Sequence, residues 1–494
     1  MKKLKNKALY IGEGFINSQL LWLIPLVDGY CEKKKINRLV FDERISPSVL
    51  KNKIIKRILK KYEILYPSKL SLLFSNKYIY LFTYGFSSIL KSIINSFLLK
   101  RNKIICHDWY ETQIRHAVWD SAILYSEDGQ IEPNLLKIFL AYMRCYRKIF
   151  FSNFLVKKLN IKYFFIAHSV YSSRAFLANL RKLNVTVYCH SGFTIYKQPK
   201  NKDSSWCFID KKQQKIIDKK ISIKDIENYW NKRIRGKGNY EDSRIAAKIE
   251  NNTYHKYENV LFLHIFRDSP FADIDPKRIF EDYIFWIKET LTIIKKSKEK
   301  WTIRLHPNYK RWGENQFLTI NKIINDVFGE NVPKNISVED NLNSNNIIFK
   351  TAKRIITFNG TSHLEAAANK IKPIIISETM LSFVNKKLCY KPKTFKEYEK
   401  LLLCPPTTKN FSLNESNSLK ARKLIFIREK ILKFEKEIGG FHIYAKDTKK
   451  NFSIDFSNTE KKLQRNCNFL KKNGENLAKD IKISMSPKYA YLVN

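Results

Sequence analysis

Short runs of β-branched and aromatic residues recur along this chain with helix-length segments between them, and that alternation leaves few folds open. It is the pattern of a parallel sheet covered by helices, because parallel strands need a long crossover and their faces are buried by the crossover helices. The first set reads ALYI, RLVF, YIYLF, KIIC, YFFIAH and VTVYC. A polar, charged stretch from about Lys197 to Glu258 follows, and then a second set, NVLFLHIF, WTIRL, ISV, RIITF and KPIIIS. The chain has 494 residues, beyond the roughly 250–300 at which one hydrophobic core stops growing. We therefore expect an α/β unit over 1–196, a helical connecting arm over 197–257 and a second α/β unit over 258–420. A C-terminal helix over 421–445 should end at Gly439-Gly440, and the lysine-rich 446–494 reads as a basic extension of low order.

Hydrophobic residues make up 44% of the chain, enough for two cores and too many for a disordered protein. The 91 Lys and Arg against 46 Asp and Glu leave +45, a balance that favours anionic partners such as nucleic acid, an acidic membrane face or acidic carbohydrate. The lysines are spread rather than massed in one stripe, so biased composition explains the excess equally well, and no specific nucleic-acid partner is expected. The eight cysteines show no C-x-x-C and no ligand spacing, which argues against zinc or iron–sulfur sites and fits reduced thiols in the cytosol. The basic start has too short an apolar stretch for a signal peptide, and the longest uncharged runs fall short of the ~18 residues of a spanning helix.

Ligands of open parallel sheets sit outside the carboxyl ends of the strands, so the strand exits carry the chemistry. One exit is RLHPNYKRW: the run KWTIRL stops at His306-Pro307, with Arg304, Lys310 and Arg311 clustered about it. Another is RIITFNGTSHLEAAANKIKPIIIS, where a strand runs into Asn359-Gly360-Thr361-Ser362 and then a helix. Gly360 permits a tight turn, and Thr361 and Ser362 add hydroxyls beside backbone N–H groups, which makes an anion cradle. Glu365, one turn into the helix, is placed to accept from sugar or ribose hydroxyls. Taken singly, Thr361 or Ser362 reads as a plain helix cap with Glu365 completing a capping box, and His306 as a satisfied strand-end histidine. Together, from one sheet edge, they would hold a diphosphate or a nucleoside monophosphate and stabilise it as a leaving group.

These motifs, in the order VLFLHIFRDSPF, IFEDYIFWIKETL, WTIRLHPN and RIITFNGTSHLEAAANKIKPIII, resemble the capsule polysaccharide biosynthesis proteins, which include bacterial Kdo transferases. The His-Pro pair is similar to that of bacterial sialyltransferases. The resemblance covers mainly 258–380, with weaker likeness in ICHDWYETQIR and FIAHSVYSSRAFLANLRKLNVTVYCHSG. It implies a GT-B glycosyltransferase: two Rossmann-like domains with parallel sheets facing a central cleft, the nucleotide-sugar donor on the second, a glycan or glycolipid acceptor on the first, and no cofactor or essential metal. By motif, His306 matches the histidine beside the donor phosphate, and Thr361, Ser362 and Glu365 match the hydroxyl turn and its downstream acid. Arg304, Pro307, Lys310, Asn359 and Gly360 complete the expected donor set. The turn here is Asn-Gly-Thr-Ser, which leaves the nucleotide open.

The first unit should supply a carboxylate that deprotonates the acceptor. Glu111 and Asp108 in CHDWYETQIRH lead, with Arg115 one turn later; Asp128 in SEDGQ is the alternative, although an exposed turn explains that stretch too. His168 and Ser169 end one strand and His190 the next; either pair would line the acceptor side, while each histidine taken singly reads as packed or capping. The expected activity is transfer of a sugar in surface polysaccharide synthesis, capsular or lipopolysaccharide, in the cytoplasm or at the inner face of an anionic membrane. A nucleotide-sugar epimerase of similar architecture and a non-enzymatic polyanion-binding protein are the alternatives.

Overall fold

Both strand sets form sheets in the computed structural model, which describes residues 7–12, 17–42, 52–66, 86–99, 108–126, 128–130, 132–167, 170–191, 194–198, 221–238, 246–247, 256–268, 279–280, 282–339, 344–377, 387–406, 410–431 and 456–479. The first sheet contains β1 (Ala8–Gly12), β2 (Arg38–Phe41), β3 (Glu63–Leu65), β4 (Ile161–Ile166), β5 (Thr186–Ser191) and β6 (Thr194–Lys197), in the order β3-β2-β1-β4-β5-β6. All its pairings are parallel except the β5–β6 hairpin. The second contains β7 (Asn259–Phe262), β8 (Trp301–Arg304), β9 (Ile336–Glu339), β10 (Arg354–Thr357) and β11 (Ile374–Ile375), in the order β11-β10-β7-β8-β9 and wholly parallel. Counted within its own unit, each sheet runs 3-2-1-4-5 through its parallel strands. That is the doubly wound, Rossmann-like order, whose strand sequence reverses beside the first strand. The expected strands YIYLF and KIIC lie outside the described residues. β3 is three residues long and joins β2 through the Arg38–Glu63 ion pair at 2.6 Å; so short an element shows no sequence period.

Helices α1 (Asn17–Lys34), α2 (Lys53–Leu59), α3 (Phe86–Leu98), α4 (Trp109–Ile123), α5 (Leu135–Leu159) and α6 (Tyr171–Lys182) belong to the first unit. The arm supplies α7 (Ile223–Lys232), which runs on through a wider turn at Arg233–Lys237. The second unit carries α8 (Tyr283–Ile294), α9 (Gln316–Phe328), α10 (Asn345–Thr351), α11 (Ser362–Ala368) and α12 (Phe395–Leu403). After these come α13 (Glu415–Phe426), extended through Ile427–Ile431, and α14 (Phe456–Ala478).

α14 lies inside the stretch expected to be of low order, and α1 explains why it is there. From Leu20 to Cys31 every α1 side chain is buried, so this helix is covered on all sides, as an apolar all-round sequence requires. The sheet covers one side, where Tyr30 meets Tyr163, Phe165 and Tyr188 edge-on. α14 covers the other. The two helices approach to backbone contact: a Cβ on Gly29 would stand 1.9 Å from the Lys471 carbonyl oxygen, and one on Gly474 1.8 Å from that of Leu26. Lys471 reaches Glu32 at 2.7 Å. Lysine-rich composition hid this helix because Lys461, Arg465 and Lys472 are exposed, while Leu463, Leu470 and Leu477 are buried at sevenfold spacing.

The carboxyl edges of the two sheets face each other. Tyr171, just past β4, donates from its hydroxyl to the carbonyl of Arg267 (3.3 Å), just past β7. Two apolar clusters also cross the boundary, one joining α4 and α5 to the second core, the other joining the first sheet to α7, α11 and α13.

Gly29→Ala and Gly474→Ala are each expected to cost roughly 1–3 kcal/mol by overpacking the α1–α14 crossing. Urea denaturation of the two variants checks this; melts matching the wild type would mean the helices do not cross at backbone contact.

Candidate active site at the strand exits of the second sheet

β7, β10 and β8 are neighbours, and the residues that follow them converge. β7 continues to His264, β8 to His306 and β10 to Asn359-Gly360, so the site straddles the point where strand order reverses. The Asn359 N–H donates to His264 Nε2 at 3.4 Å, which puts the His264 proton on Nδ1. The Asn308 N–H donates to His306 Nδ1 at 3.2 Å, which puts the His306 proton on Nε2. Burial pushes the His306 imidazole down to about 4. Burial, with the nearby His306 adding to it, pushes His264 down to about 3. Both rings are therefore neutral at pH 7, each presenting one N–H and no charge.

Gln316, fully buried at the start of α9, ties the two exits together. Its Oε1 accepts from the His306 N–H at 2.6 Å, and its Nε2 donates to the His264 carbonyl at 2.5 Å. The His264 N–H donates to the Tyr283 hydroxyl at 2.5 Å.

Gly360 is required here by space. A Cβ would stand 2.9 Å from Thr357 Oγ1 and 3.0 Å from His264 Nε2. The Gly360 N–H donates to Thr357 Oγ1 at 3.3 Å, and its carbonyl lies 2.5 Å from His363 Nδ1. Thr361 occupies the capping position of α11 but makes no side-chain capping bond; Thr357 and His363 satisfy the turn instead. Thr361 and Ser362 are partly exposed.

Glu365 is buried and faces the arm. Its Oε1 accepts from Arg233 at 2.9 Å and its Oε2 from Asn345 at 3.3 Å. Arg233 also meets Glu429 at 3.2 Å, and Tyr229 donates to that same carboxylate. Burial opposes the charge on Arg233, but Glu429 and Glu365 outweigh it and hold the guanidinium more firmly protonated than usual. A small recess lies alongside, lined by Trp230, Arg233, Asn345, Asn346, Glu365 and Asn369.

The remaining expected residues fall in several places. Arg304 is the last residue of β8 and buried, with Glu339 at 3.7 Å, so its charge belongs to the sheet interior. Lys310 is exposed and lies over the Tyr309 ring. Pro307 is partly exposed beside His306. Asp108 caps α4 by accepting from the Glu111 N–H at 2.7 Å, and Glu111 pairs with Arg115 at 3.1 Å. His168 and Ser169 lie outside the described residues, as does the His190 side chain.

Asp128 does reach the second unit. It pairs with Arg267 at 2.7 Å and accepts from the Asn315 N–H at 2.9 Å. The Gly129 N–H donates to Thr319 Oγ1 at 3.2 Å. Beneath this clip lies Glu314, accepting from the N–H groups of Phe266 and Arg267 at 3.2 Å each. Burial pushes its carboxyl up to about 7, against the pull of those N–H groups and Arg267. Sequence reading missed His264, Gln316, Glu314 and Arg233. His264 stood inside an apolar run read as continuous strand, and the others carry no local motif.

Comparison with known proteins adds no family: no family model matches the chain, and no curated protein matches it. Among solved structures it overlaps a UDP-GlcNAc 2-epimerase of Methanocaldococcus jannaschii in complex with UDP-GlcNAc and UDP, at 12% identity over 86% of this chain and 99% of that one, with a TM-score of 0.27. A UDP-GlcNAc 2-epimerase of Neisseria meningitidis overlaps at 10% identity over 85% and 98%, TM-score 0.29. A glycosyltransferase of Rickettsia africae does so at 11% over 95% and 98%, TM-score 0.23. Overlaps this loose carry no argument about activity.

The titrations give opposed slopes of stability. Glu314 is raised in the folded state, so its contribution is complete below its ordinary value of 4.5 and is lost as pH rises through about 7. His264 and His306 are depressed, so theirs is present above 6.5 and is lost as pH falls through about 4 and then about 3. Glu314→Gln is expected to remove the alkaline-side loss, on the order of 3 kcal/mol at most. Unfolding free energy measured across pH checks it; an unchanged profile would show that Glu314 titrates as an ordinary carboxyl.

Proposed function

We propose that this protein is a nucleotide-sugar-dependent glycosyltransferase of the GT-B kind, working on a surface glycan or glycolipid. The observation that carries the proposal is the meeting of His264, His306 and the Asn359–Ser362 turn at the strand-order reversal of the second sheet. Imidazole N–H groups, the Thr361 and Ser362 hydroxyls and backbone N–H groups there suit phosphate oxygens.

In the reaction proposed, an acceptor hydroxyl attacks the anomeric carbon while the bond from that carbon to the donor phosphate oxygen breaks. The negative charge collects on the phosphate, where N–H donors already in place stabilise it without reorganisation. The acceptor proton passes to a carboxylate of the first unit. Of the three candidates, Asp128 is joined to the second unit's exit loops and Asp108 is spent on a helix cap; Glu111, paired with Arg115, is taken as the base. The facing carboxyl edges support a donor side and an acceptor side across one boundary.

A nucleotide-sugar epimerase would use the same phosphate site, and product analysis separates the two. Conversion of a UDP-sugar to its epimer with no acceptor present supports the epimerase; transfer or slow hydrolysis of the donor supports the transferase.

His306→Ala and Ser362→Ala are each expected to weaken nucleotide binding about tenfold and to combine less than additively, since both act on one phosphate. Calorimetric titration with UDP, CMP and GDP, alongside thermal melts of the same preparations, decides. A lower melting temperature with unchanged affinity per folded molecule would make His306 a structural strand-end residue and remove the proposal's main support.

A further inference from the structure

α3 is built inside out. Its inward face carries Ser92 and Ser96, both buried, with the Ser96 hydroxyl donating to the Ser92 carbonyl. Its outward face carries Ile89, Leu90, Ile93, Ile94, Phe97 and Leu98, the last three 59%, 68% and 61% exposed. A helix of a water-soluble surface does the opposite. The inward face packs on α5, where Asn95 donates to the Tyr146 hydroxyl at 2.9 Å and Lys91 lies over the Phe150 ring. α5 adds its own exposed Leu135, Leu136 and Leu140 at its first turns. So large an apolar surface marks an interaction site.

Charge names the occupant. α3 has no acid and carries Lys91, and α5 has no acid and six cations. Two copies of such a face would repel, and the whole chain at +45 adds to that repulsion. An anionic bilayer attracts the cations and takes the apolar side chains into its headgroup boundary. Among the described residues no helix is long and apolar enough to cross a membrane, so the contact is one of lying on the surface.

We propose that the outward face of α3, with the first turns of α5, seats this protein on an anionic phospholipid bilayer. Ile89, Ile93 and Phe97 follow one another at helical spacing, as do Leu90, Ile94 and Leu98, so adjoining rows of the helix enter together. The cations of α3 and α5 meet lipid phosphates. This contact is independent of the nucleotide site, which lies on the other unit.

Flotation of the full-length protein with vesicles of phosphatidylcholine, alone or mixed with phosphatidylglycerol, tests it. The wild type should float with the mixed vesicles and far less with phosphatidylcholine alone. The variant Ile94→Ser/Phe97→Ser/Leu98→Ser should lose binding on the order of tenfold while keeping its nucleotide affinity. Because a triple variant is open to misfolding, hydrogen exchange of the wild type supplies a second measurement: α3 amides should slow when mixed vesicles are added. Failure of the wild type to float, equal flotation of the folded variant, or α3 exchange unchanged by vesicles would each overturn the proposal. So would a wild-type dimer that the triple variant splits, which would make the face a contact between copies.

Discussion

The parallel ladder of β10, β7 and β8 sets everything at the candidate site. Thr357 pairs with Phe262, and Phe262 with Arg304, so three strands end level. Two residues past each of those partners stand Asn359, His264 and His306. Side chains alternate faces along an extended chain, so a slip of one residue in any pairing would send one of the three to the other face. Register is held by what lies beneath: Val260, Leu261, Ile303, Ile355 and Ile356 are buried to within a per cent of completely. The chemistry thus inherits its geometry from a hydrophobic requirement that has nothing to do with a ligand.

A second constraint fixes the neighbouring recess. Arg233 comes from the arm, Glu365 from α11 and Glu429 from the extension of α13, and they meet where almost no water reaches. One cation against two carboxylates is not a source of net stability; taking charges out of water costs more than the pairing returns unless every lone pair is satisfied, and Tyr229 and Asn345 help to satisfy them. What the arrangement provides is position. Removing Arg233 would strand two buried carboxylates, so the arm, the helix that follows β10 and the helix beyond the second sheet are held in one relation.

The sequence showed the two-sheet architecture because strand runs and helix-length spacers are local signals, and ALYI, RLVF, WTIRL, ISV and RIITF all became strands. It showed the strand exits for the same reason. What it could not show were relations between distant residues of ordinary type. Gln316 has no motif; it matters because its amide spans the gap between His264 and His306. Glu365 in a linear reading is an acid one turn past a hydroxyl turn, and only the arm's Arg233 reveals where its carboxylate is engaged. α14 failed the test of composition because it needs only one apolar row, and polar residues make up most of the rest of the helix.

The His-Pro stretch first suggested a cluster of cations waiting for an anion, and its physical basis is different. Arg304 points into the sheet, and the two imidazoles are neutral, each with its proton located by a backbone N–H on the other nitrogen. A neutral donor suits a leaving group better than a fixed charge in one respect. In the proposed reaction it would favour the phosphate by dipole while the sugar donor is intact, and as negative charge grew on that phosphate the imidazole's own affinity for a proton would grow with it. Stabilisation then rises along the reaction instead of being spent on the ground state. Under the proposed reaction, the burial that keeps His306 uncharged would reserve the strongest interaction for the moment the bond breaks.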